Sequence, residues 1–302
     1  MNLNKNSNDP VHKSGFVNII GLPNVGKSTL MNFLLNDKLS IVTHKPQTTR
    51  HRILGILSGD NYQMILSDVP GFVENESYQM HRRMNTFVSE SFEDADILIL
   101  MVDATDDQEL HPRLIDRFSK TNIPKILVIN KSDLAGSNDL EEKKKKWTDI
   151  IGFDKVFVIS AKEGKDIEPL LLSLFDYLPE GPPYFPKDQI SNRNVRFFIS
   201  EMVREQIFLQ YRQEIPYSCE VDIERFKDKG DIIHIEAMIY VNRKSQKSII
   251  IGKGGSAIKQ LGIDSRQQIE EFVGKKVFLK LHVKVREKWR DNEDLLEKFG
   301  YH

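Results

Sequence analysis

The chain has 302 residues, of which 39% are apolar and 29% charged, with a formal net charge of −1. At roughly 100–200 residues per domain this is room for two globular domains, each with apolar material for its own core. The single cysteine, Cys219, excludes an intramolecular disulfide and a metal site built on several cysteines, and it fits a reducing cytoplasm.

Met1–Ser14 is polar and reads as no targeting segment; residues 1–13 are expected to form a disordered tail. The longest fully apolar stretch, Ile97–Val102, falls far short of the roughly 18 residues of a membrane span. Charge is unevenly spread. From Arg243 to Arg290 thirteen Lys and Arg stand against four acids, a balance of +9 that leaves −10 for the remainder. That asymmetry suggests an acidic enzyme domain joined to a module that meets a polyanion.

The first half alternates short apolar runs with helical patterns. The runs are Phe16–Ile20, Ile53–Leu57, Met64–Leu66, Ile97–Val102, Ile126–Ile129 and Val156–Ile159. Strands spaced by helices predict an α/β domain with a mostly parallel sheet. After the first strand, Leu30, Phe33 and Leu34 recur at helical spacing. The run Glu141–Lys146 reads as a solvated helix face.

Between that strand and helix lies Gly21-Leu22-Pro23-Asn24-Val25-Gly26-Lys27-Ser28, followed by Thr29, which fits G-x-x-x-x-G-K-[ST]. Glycines let successive N–H groups turn toward phosphate oxygens, and the helix N-terminus adds its positive end. Lys27 would reach the β- and γ-phosphates, and the Ser28 hydroxyl would ligate Mg²⁺. Asp68-Val69-Pro70-Gly71 ends another strand: its carboxylate would hold Mg²⁺ and the Gly71 N–H would meet the γ-phosphate. Asn130-Lys131-Ser132-Asp133 ends a third, where Asp133 would accept two hydrogen bonds from guanine. Adenine lacks that donor pair, so a carboxylate there rejects it. Ser160-Ala161-Lys162 ends the last strand, placing the Ala161 N–H for guanine O6. Four ordered motifs at strand ends make a guanine-nucleotide site.

Leu178–Pro186 is rich in Pro and Gly and ends a helix. The expected division is a nucleotide domain over 14–180, a linker over 181–194 and a second, smaller α+β domain over 195–302. In the latter, Val195, Phe198, Ile199, Met202, Val203 and Ile207 form a helical stripe that reads as core. Cys219–Phe226 and Ile232–Val241 alternate as strands about the turn Lys229-Gly230-Asp231. Ile249-Ile250-Ile251 then feeds the G-x-x-G loop Gly252-Lys253-Gly254-Gly255, of the kind with which a KH domain clamps a nucleic-acid backbone. Ile258, Leu261, Ile269 and Phe272 follow at helical spacing. In the last strand, Val277, Leu279, Leu281, Val283 and Val285 share one face; Phe278, Lys280, His282, Lys284 and Arg286 share the other. Candidate RNA contacts are Ile251, Gly252, Lys253, Gly254, Gly255, Lys259, Lys280, Lys284 and Arg286.

The chain resembles the translation-factor-related GTPases, and more closely the Era family. The resemblance rests on GLPNVGKS (21–28), KPQTTRHR (45–52), DVPG (68–71), NKSD (130–133) and SAK (160–162), with SQKSIIIGKGGSAIKQLG (245–262) in the second domain. It covers about Ser14 to Trp289 and implies a GTPase domain followed by a type II KH domain. One departure is Val69, where the family usually shows Thr; the loop's metal and phosphate contacts do not need that side chain. By the same resemblance Thr49 would be the Mg²⁺ ligand that senses the γ-phosphate. Many small GTPases place a water-orienting Gln after DxxG, where this chain has Phe72. Related GTPases with Asn in the phosphate loop use it to hold K⁺, which would give Asn24 a catalytic role beside Lys27, Thr49, Asp68 and Gly71; the alternative is an Asn that tolerates a left-handed backbone.

What the resemblance implies is a GTP/GDP switch that binds the 3′ end of small-subunit rRNA and acts in 30S subunit biogenesis. The expectation includes a cytoplasmic monomer with peripheral inner-membrane contact. An alternative from another class is a switch whose C-terminal module docks a protein or a membrane. An RNA-modifying enzyme finds no support, since no cofactor fingerprint or catalytic cysteine arrangement is present.

Overall fold

The computed structural model describes residues 11–302 except His44. The expected tail therefore lies outside the described residues over 1–10. Its last residue, Lys13, instead opens the first strand and pairs in register with Tyr62.

Six strands build one sheet in the order β2-β3-β1-β4-β5-β6: β1 Lys13–Ile20, β2 Ile53–Ser58, β3 Tyr62–Asp68, β4 Ile97–Asp103, β5 Lys125–Asn130 and β6 Lys155–Val158. Every neighbouring pair is parallel except β2 with β3. The continuous apolar run of β4 is buried at every position, as a strand covered on both faces must be. Helices α1 Lys27–Leu35, α2 Gln79–Glu93, α3 Pro112–Lys120, α4 Ser137–Ile150 and α5 Ile167–Tyr177 alternate with the strands. Two side chains differ from expectation. Phe33 stands on the exposed side of α1, where Met31 is buried instead. Lys143, in the charged run of α4, turns inward to bond Asp106 O and Asp107 Oδ1.

Leu178–Asn192 is not a loose linker. It is fastened along the first unit by backbone and amide hydrogen bonds. Ser14 N donates to Pro179 O (2.9 Å) and Gly181 N to His12 O (3.0 Å). The buried Gln63 amide takes the N–H groups of Tyr184 and Phe185 and donates to Phe185 O. Ile56 N reaches Ile190 O, so the segment closes the outer edge of β2.

The C-terminal half comprises α6 Val195–Gln210, α7 Ile215–Ser218, β7 Glu220–Asp228, β8 Ile232–Val241, α8 Lys244–Ile251, α9 Ser256–Val273, β9 Lys276–Val285 and α10 Glu293–Lys298. β8 is central, antiparallel to β7 and parallel to β9. Alternate residues of the three strands enter one core with α6, α8 and α9, including Ile199, Val203, Ile235, Ile239, Ile250 and Leu261. Val195, expected in the α6 stripe, is exposed at its first turn.

Two compact units divide the described chain, and they are not contiguous. The first contains the chain up to Asp37, Ile53–Val69 and Ser89–Asn192. The second contains Lys38–Arg52, Pro70–Val88 and Arg193–His302. The expected ranges 14–180 and 195–302 are thus crossed by two stretches that follow α1 and β3. For the stretch after β3 the reason is apolar burial: Val73, Met80, Met84 and Phe87 form a core cluster with Trp289, Leu296 and Tyr301.

Candidate functional site

In the first unit, four strand ends deliver the predicted motifs to one edge of the sheet. Gly21 leaves β1 so closely against β4 that a Cβ there would lie 2.2 Å from Met101 O. Asn24 (φ 66) and Gly26 (φ 104) curl the backbone through left-handed conformations before α1 begins at Lys27. Asn24 is exposed, and Val25 is buried beneath the turn. Lys27 Nζ donates to Gly21 O and Leu22 O, each at 2.9 Å, and so braces the loop from inside. Burial, only partly offset by Asp68, pushes its ammonium down to about 8. A bound phosphate would reverse that shift by supplying the missing negative charge.

Ser28 Oγ donates to Asp68 Oδ2 at 2.6 Å. Hydroxyl and carboxylate oxygens in contact are the hard donor set that suits Mg²⁺, so these two residues fit the predicted metal position. Asp68 and Val69 are fully buried. Thr49, Pro70, Gly71 and Phe72 belong to the second unit.

The base-recognition motifs are tied together by Asn130. Its Nδ2 donates to Val25 O (2.8 Å) and its Oδ1 accepts from Ala161 N (2.8 Å), joining the phosphate loop to the Ser160–Lys162 turn. Asp133 sits in a short 3₁₀ turn, Ser132–Leu134, entered through the left-handed Lys131 (φ 65). Ser160 Oγ donates to Asp133 Oδ1 at 2.6 Å, fixing the carboxylate that would face guanine. Lys162 is exposed. Asp103 was not singled out from sequence, yet it pairs with Lys131 and accepts from Thr105 N and Oγ1. Burial would raise its pKa, but the Lys131 ammonium and the Thr105 donors outweigh that and hold the carboxyl below its usual range. The available signal was positional: Asp103 ends β4 in register with Asn130.

In the second unit the G-x-x-G loop separates α8 from α9. Gly252 (φ 72) ends α8, and a Cβ there would lie 2.6 Å from Ala257 Cβ. Gly254 (φ 60) and Gly255 (φ 81) face open space, leaving room for another backbone. Lys253 and Lys259 are exposed beside them; Ile251 is half-buried. Lys280 and Lys284 are exposed too, but they alternate with β9 residues that enter the core. They therefore project from the sheet face opposite the helices that carry the loop, and the structure does not bring them to its side. Arg286 is exposed just past β9, its N–H bonded to Val241 O.

The family described as 50S ribosome-binding GTPase matches residues 16–131, and the KH domain family matches residues 214–290. GTPase Era of Syntrophus aciditrophicus is 42% identical over 96% of this chain and 95% of its own length. A chloroplastic ERA-like GTPase of Arabidopsis thaliana is 44% identical over 96% of this chain and 69% of its own. Among solved structures, Era in complex with MgGDPNP and nucleotides 1506–1542 of 16S rRNA superposes with a TM-score of 0.88 at 37% identity. That match covers 96% of this chain and 99% of the other. Aquifex aeolicus Era bound to GDP·AlF4⁻ gives 0.87 at 36% identity, with the same coverage. With full-length likeness in both halves and the nucleotide motifs in place, the chain belongs to the Era family of GTPases, an N-terminal GTPase domain followed by a C-terminal KH domain.

Proposed function

We propose that this GTPase is a GTP-driven switch on the 3′ end of small-subunit rRNA and acts in 30S subunit biogenesis. The observation that carries the reading is the full-length match to Era solved with 16S rRNA nucleotides, covering both the nucleotide loop and the G-x-x-G loop. Lys27 and the N–H groups of residues 24–28 bind the β- and γ-phosphates, and Asp133 selects guanine. Ser28 and Asp68 would hold Mg²⁺, with Thr49 a further ligand by the family resemblance, and the ion would supply positive charge against the phosphates. Thr49 and the Gly71 N–H order with the γ-phosphate and relax when it leaves. Phe72 cannot orient water. We assign the missing help to K⁺ at the exposed Asn24, a neutral oxygen donor suited to a monovalent cation. Equal hydrolysis rates in K⁺ and Na⁺ buffers would remove that ion from the mechanism.

On the RNA side, the open backbone at Gly254 and Gly255, with Lys253, Lys259 and Ile251, forms the clamp. Lys280, Lys284 and Arg286 attract the polyanion from the sheet's other face. A monomeric state and cytoplasmic work with peripheral membrane contact belong to the same proposal, on the family resemblance. No helix among the described residues is long and apolar enough to cross a membrane.

The test is fluorescence anisotropy of a labelled small-subunit rRNA 3′-end oligonucleotide, titrated with protein holding GDP or a non-hydrolysable GTP analogue, beside a scrambled RNA. Tight, sequence-selective, GTP-favoured binding is expected. Weak binding equal for both RNAs would transfer the C-terminal module to a protein or membrane partner.

A further inference from the structure

Tyr211 follows the last turn of α6, and it faces two ways. Its carbonyl accepts from Lys45 Nζ at 2.6 Å, and Phe208 O accepts from the same ammonium. These carbonyls lie where a helix leaves its acceptors without internal partners and its dipole is negative, so a cation is held there by charge as well as geometry. At the other end of the ring, the Tyr211 hydroxyl donates to Ile250 O at 2.9 Å. Ile250 is in the last turn of α8, two residues before Gly252. The ring between these contacts is buried in the core of the C-terminal unit, which keeps it from absorbing displacement by swinging. Burial, with Cys219 nearby, pushes the phenol up to about 12, so it remains a donor at neutral pH.

Lys45 opens the 45–52 stretch that contains Thr49. Thr48 Oγ1 donates to Lys45 O (2.7 Å), closing a turn over 45–48, and contacts Thr43 Oγ1 (2.7 Å). Arg204 in α6 donates to Thr48 O. A shift of Thr49 is therefore delivered to Lys45, and Lys45 bears directly on Tyr211.

We infer that Tyr211 is a positioning residue that couples the nucleotide-responsive stretch 38–52 to the Gly252–Gly255 loop. The inference deepens the functional reading above and rests on it. Withdrawing Lys45 from the end of α6 releases the carbonyl of the residue whose hydroxyl holds the base of the loop. By linkage, RNA on the loop acts on the stretch by the same factor with which nucleotide acts on RNA affinity.

The experiment uses the full chain and the ratio of RNA dissociation constants in the GDP and GTP-analogue states, read by anisotropy of the labelled 16S 3′-end oligonucleotide. Tyr211→Phe keeps the ring and the carbonyl and deletes only the hydroxyl. It is expected to bring the ratio toward one by about fivefold or more, the low end of ordinary coupling, with RNA-free GTP and GDP affinities unchanged. Lys45→Met, which leaves the core untouched, should do the same, and Lys45→Arg should restore the ratio. The double variant should lose no more than the more affected single variant, as two links of one connection require. A wild-type ratio in Tyr211→Phe overturns the inference. A wild-type protein that binds RNA with a ratio of one overturns it too, yet leaves the RNA reading standing. A wild-type protein that binds no RNA overturns both.

Discussion

Arg50 and Glu220, 170 residues apart in sequence, form an ion pair sealed from water, with Nη1 and Oε2 3.1 Å apart and the side chains 1% and 4% exposed. Arg50 also donates to Cys219 O (2.7 Å) and Pro216 O (2.9 Å), and Glu220 accepts from the Tyr301 hydroxyl (2.8 Å). The guanidinium thus ties the KPQTTRHR stretch to the start of β7. Its rigid fork meets a carboxylate and two carbonyls at once, which a lysine could not do.

Removing one partner of such a pair leaves the other charge buried and uncompensated. Arg50→Met is expected to destabilise the protein by about 3–5 kcal/mol in urea unfolding. Arg50→Met with Glu220→Gln should recover part of that loss, because no unpaired carboxylate remains. A single variant as stable as wild type would mean that the pair is open to water in solution.

Gly26 tests the phosphate loop without touching a phosphate ligand's side chain. Its φ of 104° is one that L-residues rarely adopt, and a Cβ there would sit 2.2 Å from Asn130 Nδ2, breaking the bond to Val25 O. Strain of this kind costs roughly 1–3 kcal/mol, so Gly26→Ala should weaken GTP and GDP by roughly 10- to 100-fold, with the circular dichroism spectrum preserved. Fluorescent-nucleotide titration measures it; wild-type affinity would show that the loop shifts freely to admit the methyl group.

Much of this site was legible because its chemistry depends on short runs at strand ends. Gly21–Ser28, Asp68 and Asn130–Asp133 each follow an apolar run that could only be a buried strand, and the alternation in 276–285 assigned both faces of β9. What sequence did not reveal depends on distant partners. Arg50 reads as one basic residue among several until Glu220 is beside it. Trp289, Leu296 and Tyr301 lie past the last strand in too short a segment for periodicity to speak, yet they complete a core with Met80, Met84 and Phe87. Leu178–Pro186 has a linker's composition, and its ordering depends on distant partners, the backbone of His12 and Ser14 and the amide of Gln63.

Asp133 should set base choice. With Ser160 Oγ held on one oxygen, Asp133→Asn keeps that bond through its amide oxygen and turns an NH₂ toward the base. Guanine presents N1–H and an amine there, so donors would face donors. Xanthine carries a carbonyl in place of the amine and accepts. GTP affinity should fall by roughly 10- to 100-fold and XTP affinity should rise above that of wild type. Competition against a labelled guanine nucleotide reads both; an unchanged preference would place the base away from this carboxylate.

His51 predicts the acid side of the stability profile. Its ring is buried, 4.3 Å from Tyr301 and 5.5 Å from Phe197. Burial first, then the guanidiniums of Arg193, Arg204 and Arg50, push its pKa well below 6.5, against a weaker opposing hydrogen bond to the Gly300 carbonyl. Below pH 6.5 the unfolded chain takes up a proton that the folded state refuses. The unfolded state then binds more protons, and stability falls as pH falls, with a slope approaching about 1.4 kcal/mol per pH unit for one group. Above 6.5 both states are neutral here and the contribution vanishes. His81 is lowered as well, first by its own burial, and acts in the same direction, so the wild-type slope alone does not isolate His51. His51→Phe does, since it keeps an aromatic ring against Tyr301 and removes the titration. Urea unfolding at pH 7.5 and 5.5 should show a smaller loss in His51→Phe than in wild type. Equal losses would mean that His51 takes its proton in the folded protein, and that the three arginines stand farther from it than the packing shows.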